Sequence, residues 1–162
     1  MKIQVQNGEE LRRVAAEIVL NVTPRNVATT IALSGELGAG KTTFVQEIAR
    51  ALGVSETVSS PTFVIEKIYP IRDAARSNGA GDMNVHFKQL IHIDAYRLKD
   101  AEELKHLGWE EIVADSGNLI CIEWPERVIE LIPEGAVRIS FEIEGERRII
   151  TIDGEESGGN KE

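Results

Sequence analysis

One eight-residue pattern constrains this chain more than any other feature. Gly35-Glu-Leu-Gly-Ala-Gly-Lys-Thr42 satisfies G-x-x-x-x-G-K-[ST] in full. Such a pattern works only where a buried strand runs into it and a helix leaves it, and both flanks meet that condition. Ahead of it, VATTIAL (27–33) is β-branched and apolar on both faces, as expected of a central strand. Behind it, Val45, Ile48, Ala49 and Leu52 recur at helical spacing until Gly53 stops the helix. Glycines at 35, 38 and 40 allow successive N–H groups to turn inward around an anion. The helix beginning near Lys41 directs its positive dipole end at the same point. Lys41 is then placed to reach the β- and γ-phosphates of a nucleotide, and the Thr42 hydroxyl to ligate Mg²⁺. A glycine-rich turn that merely caps a helix, with Lys41 on the surface, would not require the buried strand ahead of it.

The remaining pattern alternates strands with helices. Leu11, Val14, Ala15, Ile18, Val19 and Val22 predict an amphipathic helix over about 8–21, with Asn7 as its N-cap and Glu10 completing a capping box. Ser60-Pro-Thr62 reads as a turn, FVIEKIY (63–69) and QLIHID (89–94) as strands, and DAEELKHL as a helix over about 100–107. NLICIEW (118–124) is a further buried strand, and Pro125 suits the first position of a helix, PERVIELI. VRISFEI (137–143) alternates strictly, with Val137, Ile139, Phe141 and Ile143 on one side. With RRIITI it forms an antiparallel hairpin. Residues 70–88 hold a SNGAGD loop, and the tail from 153 is polar and glycine-rich, a composition that favours disorder. The expectation is one α/β domain over 1–152. It is a three-layer P-loop NTPase fold with a mixed, partly parallel sheet and a C-terminal antiparallel hairpin.

A phosphate loop needs an acid at the end of a neighbouring strand to hold the metal or orient water. Asp94 ends LIHID and Glu123 ends LICIE, and a parallel sheet brings both to its carboxyl edge beside the loop. Acids at strand ends are common, so neither assigns a role alone, but two apolar runs each closing on one argue for at least one functional acid. His92 shares a strand face with Asp94. No His/Cys cluster accompanies it, so it reads as a hydrogen-bonded structural residue. Trp124 suits stacking on a base, walling the pocket, or an ordinary core or partner contact. Ser59, Ser60 and Thr62 occupy a suitable place for a segment that senses the γ-phosphate, although their composition is also that of an ordinary turn.

Composition narrows the partners. The net charge is −9, and it is uneven: residues 1–99 carry 12 Lys/Arg against 10 Asp/Glu, and residues 100–162 carry 6 against 17. Unaided nucleic-acid binding draws its affinity from a basic patch, which is missing, so no direct sequence-specific contact with nucleic acid is expected. The acidic third suits solvent or a basic protein partner. No run approaches the ~20 apolar residues of a membrane span. The N-terminus MKIQVQNGEELRR has no apolar leader core, and the lone Cys121 sits in the apolar run LICI as an inert core thiol. Together these features suggest a cytoplasmic protein. A guanine-reading Asn-Lys-x-Asp and an arginine-rich lid are both absent from the sequence.

These blocks together resemble the TsaE family, the P-loop ATPase of bacterial tRNA N6-threonylcarbamoyladenosine (t6A) biosynthesis. The resemblance covers about 7–150. It is carried by Gly35–Phe44, Ser60-Pro-Thr-Phe63, His92-Ile-Asp-Ala-Tyr-Arg-Leu98 and Glu123-Trp-Pro125. It implies that Glu36, Leu37, Gly38, Ala39, Gly40, Lys41, Thr42 and Thr43 bind ATP, with Thr62 as a sensing residue and Trp124 beside the nucleotide. Thr42 and Glu123 would hold Mg²⁺, and Lys41, Asp94 and Glu123 would carry the catalysis, Asp94 being the Walker-B-like acid. Asn7 to Glu10 and Arg147/Arg148 are further nucleotide candidates. The partners it implies are TsaD and TsaB, with slow ATP hydrolysis in their absence. The 70–88 segment and the tail depart from the family pattern, which puts partner docking in doubt. Two other readings of the same residues are a P-loop kinase using Asp94 as base and a non-hydrolysing nucleotide-sensing adaptor.

Overall fold

The computed structural model describes residues 1–23, 25–71 and 86–153. In chain order the elements are β1 (Lys2–Val5), α1 (Gly8–Asn21), β2 (Thr29–Gly35), α2 (Lys41–Ala51), β3 (Glu66–Pro70) and β4 (Gln89–Asp94). They continue with α3 (Ala101–His106), α4 (Trp109–Ala114), β5 (Asn118–Glu123), a 3-10 segment (Pro125–Leu131), β6 (Val137–Glu144) and β7 (Arg147–Asp153). The strands form one sheet in the order β1-β7-β6-β2-β5-β4-β3. Its centre is parallel: β2 lies between β5 and β6, and β4 follows β5. The flanks β1, β7 and β3 run antiparallel to their neighbours.

Alternation along the central strands makes the layers. Ile31, Leu33, Leu90, Leu119 and Cys121 face α1 and α2, whose Leu11, Val14, Phe44, Val45 and Ile48 close that core. Ala32, Ile91, Ile93, Ile120 and Ile122 face the other way, against Leu104 of α3, Trp109 of α4 and Val128 of the 3-10 segment. Strands buried on both faces have to be apolar throughout, which is why VATTIAL, LIHI and LICI were recognisable as strands. Each fully buried Ile or Leu contributes about 1.5–3 kcal/mol.

Asn7 caps α1 as expected, its side chain accepting from Glu10 N–H at 3.0 Å, but the reciprocal half of the capping box is displaced. Glu10 in turn accepts from Gln6 N–H at 2.7 Å, one residue before the cap itself. Four elements differ from expectation. Lys2–Val5 forms an edge strand, β1, that no pattern in the sequence predicts. The strand read over 63–69 begins only at Glu66, because Ile65 adopts a left-handed backbone (φ 69°) that a β-branched residue rarely takes. Ile65 N–H bonds back to Pro61 C=O at 2.6 Å, closing a turn where strand was expected. Past Gly108 a second short helix, α4, forms around the buried Trp109. The helix after Pro125 is a 3-10 segment, broken where buried Val128 leaves helical geometry (φ −138°). The loop expected over 70–88 falls largely on 72–85, and the tail on 154–162, both outside the described residues.

Cys121 is fully buried, and burial, with the nearby Glu123 charge adding to it, pushes its thiol well above the ordinary value. The reactive thiolate is therefore suppressed near neutral pH. Iodoacetamide at pH 8 is expected to leave the native protein unmodified and to label it fully in denaturant, as read by intact mass. Native-state labelling at the rate of a free thiol would contradict this.

Candidate nucleotide-binding site

The site is assembled at the carboxyl edge of the sheet, where β2 runs into the loop and the last residues of β4 and β5 stand in register, Asp94 beside Glu123. The loop turns on glycines with positive φ, Gly35 (145°), Gly38 (79°) and Gly40 (105°), the last serving as N-cap of α2. Gly35 has a second constraint. A Cβ there would lie 2.7 Å from the Phe141 carbonyl oxygen of β6.

Lys41 is almost wholly buried, and its Nζ folds back on the loop, donating to the Gly35 carbonyl and, at 2.9 Å, to that of Glu36. It also lies 4.3 Å from the Trp124 ring centroid, a cation–π distance. Burial lowers its pKa, opposed by Glu123, Glu126, Asp94 and Glu36. The ammonium therefore sits desolvated among acids, a setting that an arriving phosphate would relieve.

The two acids are also buried and already engaged. Glu123 Oε1 accepts from Thr42 Oγ1 at 2.8 Å and lies 2.8 Å from His92 Nε2. Asp94 Oδ2 accepts from Thr62 Oγ1 at 2.7 Å, and Oδ1 from Tyr96 N–H at 3.0 Å. Thr62 also lies 2.6 Å from Ser60 Oγ, which ties the whole Ser60–Thr62 turn to the acid. Trp124 takes a left-handed backbone (φ 58°) directly after Glu123, and its N–H bonds to Leu33 C=O at 3.2 Å. That turn points its ring at Lys41 and Tyr96, whose ring centroid is 5.0 Å away.

Two adjoining cavities result. One, about 260 Å³, is walled by Leu37, Gly38, Gly40, Lys41, Thr42, Thr43, Thr62, Asp94, Glu123 and Trp124, together with Ser60 and Tyr96. The other, about 310 Å³, lies across the loop. It shares Gly38, Gly40 and Thr43 with the first and reaches Ala39, Asn7, Gly8 and Arg148. Within Glu36–Thr43, and with Thr62 and Trp124, every residue lines one of the two cavities except Glu36, which contributes its carbonyl to Lys41 instead. Asn7, Gly8 and Arg148 join the site, whereas Glu9, Glu10 and Arg147 line neither cavity. Tyr96 and the His92 link to Glu123 are the features that sequence reasoning missed. The only signal for the second was that His92 and Asp94 share a strand face.

The donor set suits Mg²⁺. A hydroxyl and a carboxylate, both hard oxygen donors, already meet at 2.8 Å beside the loop, and Mg²⁺ takes one or two carboxylates with substrate phosphates and water. Among the described residues there is no group of three or more His, Cys, Asp or Glu able to cage a metal. Nor is any helix among them long and apolar enough to cross a membrane.

The chain as a whole is similar to known proteins. Residues 5–150 match the family TsaE, described as threonylcarbamoyl adenosine biosynthesis protein TsaE. Relatives from several bacteria carry the name tRNA threonylcarbamoyladenosine biosynthesis protein TsaE. That of Borreliella burgdorferi is 32% identical over 81% of this chain and 85% of its own. That of Streptomyces coelicolor is 38% identical over 69% and 67%, and that of Treponema pallidum 36% over 75% and 79%. The crystal structure of YdiB from Bacillus subtilis superposes with a TM-score of 0.69 at 27% identity, covering 95% of this chain and 84% of that one. The fold is thus the P-loop NTPase type of three-layer α/β sheet. Since the match runs from the first strand to the last hairpin and takes in the loop and both acids, the chain belongs to the TsaE family of threonylcarbamoyl adenosine biosynthesis proteins.

Proposed function

We propose that this protein binds ATP with Mg²⁺ and hydrolyses it as a cytoplasmic subunit of the tRNA t6A modification machinery, acting with TsaD and TsaB. The observation that carries this reading is the Thr42–Glu123 hydrogen bond with Asp94 beside it, all facing the cavity above Lys41. Lys41 and the loop amides would take the phosphates, and the cavity toward Asn7, Gly8 and Arg148 would take the nucleoside end. Thr42 and Glu123 would hold Mg²⁺, which when bound neutralises charge on the phosphate oxygens. Asp94 would orient the attacking water. Its present partner Thr62 would respond to whether a γ-phosphate is there, which makes the Ser60–Thr62 turn the sensing segment. The acidic C-terminal third argues against direct reading of tRNA bases and suits protein partners.

Phosphate release should be slow for the protein alone and rise when TsaD and TsaB are added, with repeated rounds of tRNA modification depending on it. By calorimetry Lys41→Ala should bind ATP about 10- to 150-fold more weakly, the worth of a charge-assisted hydrogen bond, and undiminished affinity would count against the phosphate-loop assignment. A protein that neither co-purified with TsaD and TsaB nor supported repeated modification would end the proposal. Label transferred to an added acceptor, rather than released as phosphate, would favour a kinase instead.

A further inference from the structure

His92 is fully buried on β4, yet its two ring nitrogens are treated very differently. Nε2 lies 2.8 Å from Glu123 Oε1, while Nδ1 is buried without a hydrogen-bond partner among the described residues. An ionised carboxylate only accepts, so Nε2 carries the proton and donates. A position that served packing alone would take an apolar side chain of similar size and avoid the penalty of the orphaned Nδ1. The polar contact of this ring is therefore the one that Nε2 makes. The parallel register sets His92 opposite Cys121 and Asp94 opposite Glu123, so the imidazole reaches diagonally across the strand pair to the carboxylate. Both hydrogen bonds that the Glu123 carboxylate receives among the described residues, from His92 and from Thr42, fall on the same oxygen.

We propose that His92 is a positioning residue that holds the Glu123 carboxylate against the Thr42 hydroxyl, so that the two oxygen donors for the divalent cation are together before the cation arrives. This rests on the reading above in which Thr42 and Glu123 hold Mg²⁺. Loss of an outer hydrogen-bond partner of a metal-ligating group weakens metal affinity by roughly 10- to 100-fold. The same is expected here, without the ring touching metal or nucleotide.

The test measures ATP binding by calorimetry at stepped Mg²⁺ concentrations and again in EDTA, for wild type, His92→Leu, His92→Gln, His92→Asn and Glu123→Gln. His92→Leu should raise the Mg²⁺ needed for half-maximal enhancement of binding by about tenfold or more, with affinity in EDTA unchanged. His92→Gln, whose longer amide can still donate to Oε1, should recover most of the wild-type Mg²⁺ dependence, and the shorter His92→Asn should not. If His92→Leu does not fold, the Gln and Asn pair decides: equal Mg²⁺ dependence in the two overturns the proposal. A wild-type dependence in His92→Leu also overturns it, provided Glu123→Gln shifts the curve. If Glu123→Gln itself has no effect, the assignment of Glu123 to the metal fails first, and the role of His92 falls with it.

Discussion

Asp94→Ala should cut ATP turnover by about 10²- to 10⁴-fold, the usual worth of a positioned acid–base group, while ATP affinity stays near the wild-type value. The separation follows from what Asp94 touches. Its oxygens bond Thr62 Oγ1 and Tyr96 N–H, both outside the phosphate loop, and the loop's own bonds run through Lys41 and Glu123. When the carboxylate is removed, Thr62 still has Ser60 Oγ at 2.6 Å and the Tyr96 N–H that loses its partner belongs to an exposed residue, so the fold loses little. Glu123→Ala should behave differently. It strips the partner from the Thr42 hydroxyl and from buried His92 at once, leaving polar groups unsatisfied at about 1–3 kcal/mol each. Turnover, Mg²⁺ dependence and thermal stability should therefore fall together. Single-turnover phosphate release, calorimetry and thermal melts on the two variants check this. An unchanged rate in Asp94→Ala would remove that residue from the mechanism. A melting temperature lowered as much as in Glu123→Ala would make its role structural.

Gly35→Ala is the substitution expected to do most damage to the fold. Two costs coincide there. The backbone at φ 145° lies where side chains are rarely accommodated, and a Cβ would meet the Phe141 carbonyl oxygen at 2.7 Å and its Cβ at 3.1 Å. The obstacle is backbone of the paired strand, since Gly35 stands in register with Phe141, so no rotamer change relieves it. Strain of about 1–3 kcal/mol and a similar overpacking cost add to about 2–6 kcal/mol. At about 2–4 °C per kcal/mol for a chain of this size, the melting temperature should fall by at least several degrees. Phe141 also packs edge-on against Phe44 of α2, with ring centroids 5.4 Å apart, so moving β6 disturbs the helix that carries Thr42. Gly38→Ala is the control. Its φ of 79° is also left-handed, but nothing lies within 4 Å of an added Cβ, so only the conformational cost applies. Melts in which Gly35→Ala was no worse than Gly38→Ala would refute the close-approach argument.

Which parts of this were readable in advance depended on whether the signal was local. The α1 cap, the glycine loop and the strands buried on both faces each carry their cause within a few residues, and each formed nearly where expected. The β1 strand did not announce itself, because Lys2 and Gln4 are exposed and it pairs only with β7, far away in the chain. Helix α4 was hidden for a related reason. Gly108 reads as a stop, and what holds the six residues after it in place is the burial of Trp109 against the far core. The left-handed backbone at Ile65 runs against the preference of its own side chain. It is closed by a bond to Pro61 and met by Asp94 N–H, which reaches Ile65 C=O at 2.8 Å.

By itself the sequence determined the phosphate loop, its flanking strand and helix, the two acids at strand ends, and with them the family. Those depend on spacing along the chain, and a backbone that turns on fixed glycines leaves little choice. The tertiary structure alone decided which groups meet: Thr42 with Glu123, Thr62 with Asp94, Arg148 beside the loop, and His92 behind the carboxylate. Each of those contacts joins residues on different elements. Strand order and register bring them together, and no local pattern encodes either.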